Sequence, residues 1–247
     1  EGVTAMADSL GGVWRAYSNG NRTSAWVQDG VITADNSKAC LGDFINMAKT
    51  NYDAGYISTA SQWTEDWLPQ GMSAGTQANK TFGFFFPTWS LGAGSQLSQA
   101  EGEEGAEGST YGLYNVVAGP TGWFWGGTWI CASYETDNAA LVKDIMFQLT
   151  CNADIMKQIT LDTQDYTNNQ KAMQEIGDDP EFGSAFLGGQ NHIALFVEAA
   201  KNIDMSNAGP YDQGCNEGIQ GAFKDYFDGN VDMDGAKANF EKTIKEK

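Results

Sequence analysis

Residues 111–151 read Tyr-Gly-Leu-Tyr-Asn-Val-Val-Ala-Gly-Pro-Thr-Gly-Trp-Phe-Trp-Gly-Gly-Thr-Trp-Ile-Cys-Ala-Ser-Tyr-Glu-Thr-Asp-Asn-Ala-Ala-Leu-Val-Lys-Asp-Ile-Met-Phe-Gln-Leu-Thr-Cys. The apolar run Leu113–Ala118 predicts a strand, and Gly-Pro-Thr-Gly after it predicts a turn. Trp123, Trp125 and Trp129 then crowd around Gly126 and Gly127. A second short apolar run, Trp129–Ala132, leads to Asp137, the expected cap of a helix. That helix carries Leu141, Ile145 and Leu149 on one face, with Val142 and Met146 beside them.

Before this stretch the chain alternates strand-like and helix-like segments, and after it come mostly helices. Trp26-Val-Gln-Asp-Gly-Val-Ile predicts a strand edge with an Asp-Gly turn. A helix is expected over 38–54, with Leu41, Ile45 and Ala48 on one face and Gly55 closing its end. Ser61 is a cap candidate for a short helix in which Trp63 and Trp67, four apart, share a face. Phe82–Phe86 reads as a buried strand that Pro87 ends, since proline donates no ladder hydrogen bond. Trp89 then projects beyond the strand's carboxyl end, where open α/β sheets place their ligands. Residues 90–112 form a glycine-rich acidic loop, read as a solvated charge run and not as a metal site. Short amphipathic helices follow at 154–161 and 169–176, joined by a polar segment, 163–169, able to face a ligand. Two later helices bury Ile193, Phe196 and Val197, and Ile219, Phe223, Tyr226 and Phe227. Asp234 is expected to cap the last helix, whose face is Ala236, Phe240 and Ile244.

Composition narrows the chemistry. The 247 residues hold 32 Asp and Glu against 14 Lys and Arg, a formal net charge of −18, which disfavours nucleic acid and anionic membranes and suits a neutral ligand. No apolar run is long enough to span a bilayer, and no stretch reads as a signal peptide. The four cysteines (Cys40, Cys131, Cys151, Cys215) lack metal-ligand spacing, and the single histidine, His192, gives zinc no second nitrogen ligand. The cysteines are read as free and buried, and His192 as structural. No nucleophile motif, phosphate-binding loop or zinc-protease motif occurs, so no catalytic residue, metal or cofactor is assigned. The abundant resource is aromatic surface: 8 Trp, 9 Tyr and 13 Phe. An indole covers the apolar face of a pyranose, while Asp, Asn and Gln bind its hydroxyl rim.

Taken in order, these motifs resemble the carbohydrate-type extracellular solute-binding proteins of bacterial ABC importers, the family that includes the maltose-binding protein. The resemblance rests on Phe82–Trp89, on residues 111–151, and on Gly188–Ala200 followed by Gly209-Pro-Tyr-Asp212. It implies an α/β, periplasmic-binding-protein-like (type II) two-lobe fold with a helix-rich C-terminal half. Residues 1–114 and 177–247 would form the second lobe, and 115–176 a partial first lobe with hinge crossovers. Family members begin with a first-lobe βαβ region before anything like residue 1 here, so a largely complete second lobe and an uncovered apolar face on the first are expected. Carried over by motif, the ligand-binding residues are Trp89, Trp14, Gly12, Trp63, Trp125, Gly126, Tyr211 and Asp212. The resemblance also implies a sugar or oligosaccharide ligand and membrane permease subunits as partners. The implied location is extracytoplasmic, periplasmic or on a Gram-positive surface, with any lipid anchor outside this chain. A glycoside hydrolase or a carbohydrate-binding adhesin is the alternative.

Overall fold

The computed structural model describes residues 3–21, 24–32, 38–64, 67, 80–92, 104–107, 109–119 and 121–246. Along the chain run β1 (Val3–Ala7), α1 (Leu10–Asn21), β2 (Val27–Gln28), β3 (Val31–Ile32), α2 (Lys38–Asp53), β4 (Lys80–Gly83), α3 (Ala139–Thr150), α4 (Ala153–Thr163), α5 (Gln170–Gly177), α6 (His192–Ala200), α7 (Asp212–Phe227) and α8 (Met233–Lys245). The chain divides into two compact units: residues 1–73, 77–85 and 204–247, and residues 74–76 and 86–203. The second takes in 86–114 and 177–203 as well as the expected 115–176. Gly112 N–H bonds the Phe186 carbonyl, Val116 bonds the Gln190 side chain, and α5 packs on α6.

In the first unit β1 and β4 pair in parallel, and Ala7 forms a parallel bridge to Ile57 on the other side. The chain leaves β1 straight into α1, because the Ser9 hydroxyl accepts the Gly12 N–H at 3.0 Å and caps the helix. The Asp-Gly turn forms as expected: β2 and β3 make an antiparallel hairpin whose central residues, Asp29 and Gly30, have φ of 52° and 76°. α2 closely matches its predicted span and ends in a Schellman motif. Tyr56 N–H bonds the Asn51 carbonyl, Gly55 N–H bonds Tyr52, and Gly55 has φ +73°. Trp14, Trp26, Phe44, Phe223 and Phe240 form the aromatic centre of the core, with Trp14 edge-on to Phe44 at 4.8 Å. α7 and α8 meet along Ile219, Phe223 and Phe227 and along Ala236, Phe240 and Ile244, the i, i+4, i+8 rows of each. α8 is capped by Asp232, which accepts Gly235 N–H at 2.8 Å, and not by Asp234, which lies inside the first turn.

β4 is shorter than the expected strand. The ladder ends at Gly83, and Phe82 is exposed, not buried. Strand alternation explains this: with Thr81 inside, its neighbour Phe82 points to the other face.

In the second unit α4, α5 and α6 enclose Met156, Met173, Ile176, Ile193 and Val197. Each helix starts on an asparagine, Asn152, Asn169 or Asn191, whose side chain accepts an N–H of its first turn. α3 stands apart: none of its residues is buried, and its N-cap is Asn138, without a side-chain cap bond, not Asp137. The strands expected at 113–118 and 129–132 make no ladder among the described residues. A strand exists only with a partner, and here the Gln190 amide alone takes both the N–H and the carbonyl of Val116, at 2.7 and 2.8 Å. Cys131 and Cys151 are free and exposed, against expectation, while Cys215 is buried and forms no disulfide among the described residues. Most of the acidic loop lies outside the described residues, as do residues 65 and 66 of the short helix expected after Ser61, in which Trp63, at φ +70°, is not helical. No helix among the described residues is long and apolar enough to cross a membrane.

Candidate functional site

The first unit presents one exposed tryptophan on a tied-down turn. Asp8, at the end of β1, is fully buried. Its Oδ2 accepts from Ser9 Oγ at 2.9 Å, from Gln62 Nε2 at 3.2 Å and from Trp67 Nε1 at 3.2 Å. Its Oδ1 accepts from Phe85 N–H at 3.0 Å. Burial pushes this carboxyl up to about 6, and the four donors hold it from rising further. The carboxylate thus ties the end of β1 to Phe85 and to Gln62 and Trp67, on either side of the 62–64 turn. Trp63 sits on that turn at φ +70°, a left-handed conformation costly for a bulky side chain. Its ring is 50% exposed and leans on buried Trp67. Gly12 belongs to the same assembly: a Cβ there would lie 2.8 Å from Gln62 Nε2 and 2.9 Å from the Phe85 carbonyl oxygen. Gly12 is therefore a close-approach glycine in a buried position, not a ligand contact.

The second unit presents Trp89, 37% exposed, on the 3-10 turn Thr88–Leu91 that starts directly after Pro87. The turn lies on the end of α4. Thr88 Oγ1 donates to Asp165 Oδ1 at 2.5 Å, and a Cβ on Gly92 would come 2.7 Å from the Thr163 carbonyl oxygen. Desolvation raises the Asp165 carboxyl above the usual range, against the pull of Thr88 and of Tyr166 N–H. His192 is buried, as expected of a structural histidine, and its Nε2–H donates to the Gln164 carbonyl at 2.7 Å. Burial lowers its pKa.

The other predicted residues divide. Trp14 is in the core at 0% exposure. Its Nε1 donates to Asn216 Oδ1 at 3.0 Å, and its faces meet Trp26 and Phe44, so no ring surface is left for a ligand. Trp125 is half-buried against Trp123, and Gly126 beside it is exposed, with open space where a Cβ would stand. Tyr211 is exposed at the start of α7, and Asp212 opens that helix with its N–H on the Gly209 carbonyl. An open depression of about 570 Å³ lies between residues 132–136 and α3, and none of the predicted site residues lines it. The residues that position the two tryptophans escape local reading. Asp8 and Gln62 act across 54 positions, and Thr88 and Asp165 across 77. The one local sign is the polarity of 163–169.

The fold has a solved counterpart. The chain matches a crystal structure of an extracellular solute-binding protein family 1 with a TM-score of 0.72 at 15% identity, over 98% of this chain and 58% of that one. The chain thus has the fold of the extracellular solute-binding proteins, and it spans 58% of the matched protein's length. No family model and no curated protein matches the sequence.

Proposed function

We propose that the chain is the substrate-binding subunit of an ABC importer. It captures a sugar or oligosaccharide in an aromatic-lined cleft between two lobes and delivers it to the membrane permease. The reading is carried by one observation: on a solute-binding fold, each unit displays an exposed tryptophan, Trp63 or Trp89, on a turn fixed by a carboxylate. Flat apolar rings beside polar groups suit pyranose rings, and the net charge of −18 suits a neutral ligand. Trp125, Gly126, Tyr211 and Asp212 extend the ligand surface in this reading. The unit holding residues 204–247 serves as the second lobe and the other as part of the first. The lobes close by hinge bending, a motion general to periplasmic binding proteins. The protein acts outside the cytoplasm, in a periplasm or as a surface lipoprotein.

Tryptophan emission titrated against neutral oligosaccharides, with the mixtures then analysed for products, tests this. A saturable change without cleavage is expected. Cleavage would point to a glycoside hydrolase, and a flat response to every sugar would remove the carbohydrate ligand.

A further inference from the structure

Asp165 uses its two oxygens differently. Oδ1 accepts from Thr88 Oγ1 and, at 2.7 Å, from Tyr166 N–H. Oδ2 accepts no hydrogen bond among the described residues, and the side chain is half-buried, not sealed. The residue is also held from behind. Gln164 has a left-handed backbone at φ +63°, and its carbonyl accepts a hydrogen bond from Nε2–H of buried His192. The Asp165 N–H meets Thr163 Oγ1 at 3.3 Å. A carboxylate fixed this firmly, with one oxygen still open, is pre-organised to accept a hydrogen bond from outside. Thr88 is the residue before Trp89, so the bond that fixes the carboxylate also fixes the start of the turn that carries the exposed indole.

We infer that Asp165 is a ligand-contacting residue of the Trp89 surface, its Oδ2 accepting a hydroxyl from the sugar ring that lies on the Trp89 indole. This rests on the carbohydrate reading above and adds a specificity to it. The stacked ring must be a neutral sugar with a free hydroxyl at its edge, because a uronic acid would bring a second carboxylate against Asp165. Thr88 is the positioning residue, acting through Asp165 Oδ1 on the turn.

Asp165→Asn separates contact from positioning. An asparagine Oδ1 still accepts from Thr88 and Tyr166, but an NH2 replaces the open acceptor. Titration of the intact chain with maltotriose, cellotriose and xylotriose should show saturable binding of at least one. Asp165→Asn should weaken that binding by about ten- to a hundredfold, the usual effect of losing a hydrogen bond to a charged group. Its melting temperature should not change. Nor should its Trp89 emission, obtained by difference from Trp89→Phe. Thr88→Val should shift the Trp89 emission even without sugar. Binding by wild type that Asp165→Asn leaves unchanged overturns this inference alone. So does an Asp165→Asn loss of affinity accompanied by the emission shift of Thr88→Val, which would make Asp165 only a clamp. No response of wild type to any of the three sugars overturns the carbohydrate reading and this inference with it.

Discussion

The indole rings of Trp63 and Trp67 lie 4.9 Å apart, centre to centre, at 58° to one another, one ring half in solvent and the other sealed in the unit. Trp67 is anchored through Nε1 to Asp8, so the buried ring is fixed and the exposed ring leans on it. The backbone at Trp63 is left-handed. That conformation costs an L-residue roughly 1–2 kcal/mol, and glycine escapes the cost. Trp63→Gly should therefore unfold at a higher urea concentration than Trp63→Ala, by about 1 kcal/mol. Both variants should lose the far-ultraviolet dichroism of the coupled indoles. On the carbohydrate function proposed above, both should also lose sugar affinity, by about 2 kcal/mol, the effect of removing an aromatic anchor. Equal urea midpoints for the two variants would show that the turn stores no strain.

Asp8 makes the first unit sensitive to pH. The folded carboxyl sits at about 6, against 3.8 for an unperturbed aspartate. The folded state therefore binds the proton more tightly than the unfolded state. Its contribution is fully present below about pH 4 and is lost as pH rises through 6, on the order of 3 kcal/mol at about 1.4 kcal/mol per unit. Asp8→Ala removes this dependence and leaves the Trp67, Gln62 and Phe85 donors without their acceptor, at a cost of at least about 3 kcal/mol at pH 7. Urea denaturation of wild type and variant from pH 7.5 to 4.5 checks both statements. A stability difference between them that stays constant across that range would refute the first.

His192 works in the opposite sense. Its pKa is lowered by burial, so the unfolded state binds the proton more tightly. Stability is lost as pH falls below about 6.5, the unfolded value. His192→Gln keeps a donor that can reach the Gln164 carbonyl and carries no titrating group. The stability of wild type relative to His192→Gln should fall between pH 7.5 and 5.5. Parallel curves would mean that the imidazole is not held neutral by the fold.

What can be read from the sequence is what depends on neighbours within a few positions. α2, the Asp-Gly hairpin and the faces of α7 and α8 follow from glycine placement and a period of 3.6. The caps of α3 and α8 lie one or two residues from the expected ones, because adjacent Asp and Asn residues compete for one position and only the geometry of the turn selects between them. Trp14 and Trp63 both stand near small and polar residues, and nothing local separates them. Trp14 is core because α2 and α7 supply Phe44 and Asn216 against it. Trp63 is exposed, and its left-handed backbone takes it out of the helical alignment with Trp67 that a spacing of four suggests. The Asp8 assembly draws on residues 8, 62, 67 and 85, and such a convergence has no trace in local periodicity.

α3 offers the plainest energetic contrast. Leu141, Ile145 and Leu149 form one apolar row at i, i+4, i+8, yet they are 59%, 46% and 43% exposed. A row of this kind normally contributes by burial, and here it contributes almost none. Replacing all three by glutamine should therefore change folding stability by no more than about 0.5 kcal/mol per site. Phe240→Ala in the buried row of α8 should cost about 3–5 kcal/mol. The triple variant should also bind less of an apolar dye such as anilinonaphthalene sulfonate, because an exposed apolar patch is what such dyes find. Urea titrations and dye fluorescence on the intact chain decide it. A loss of several kcal/mol in the triple variant would show that α3 is packed in solution against part of this same chain, and the uncovered face would then not exist.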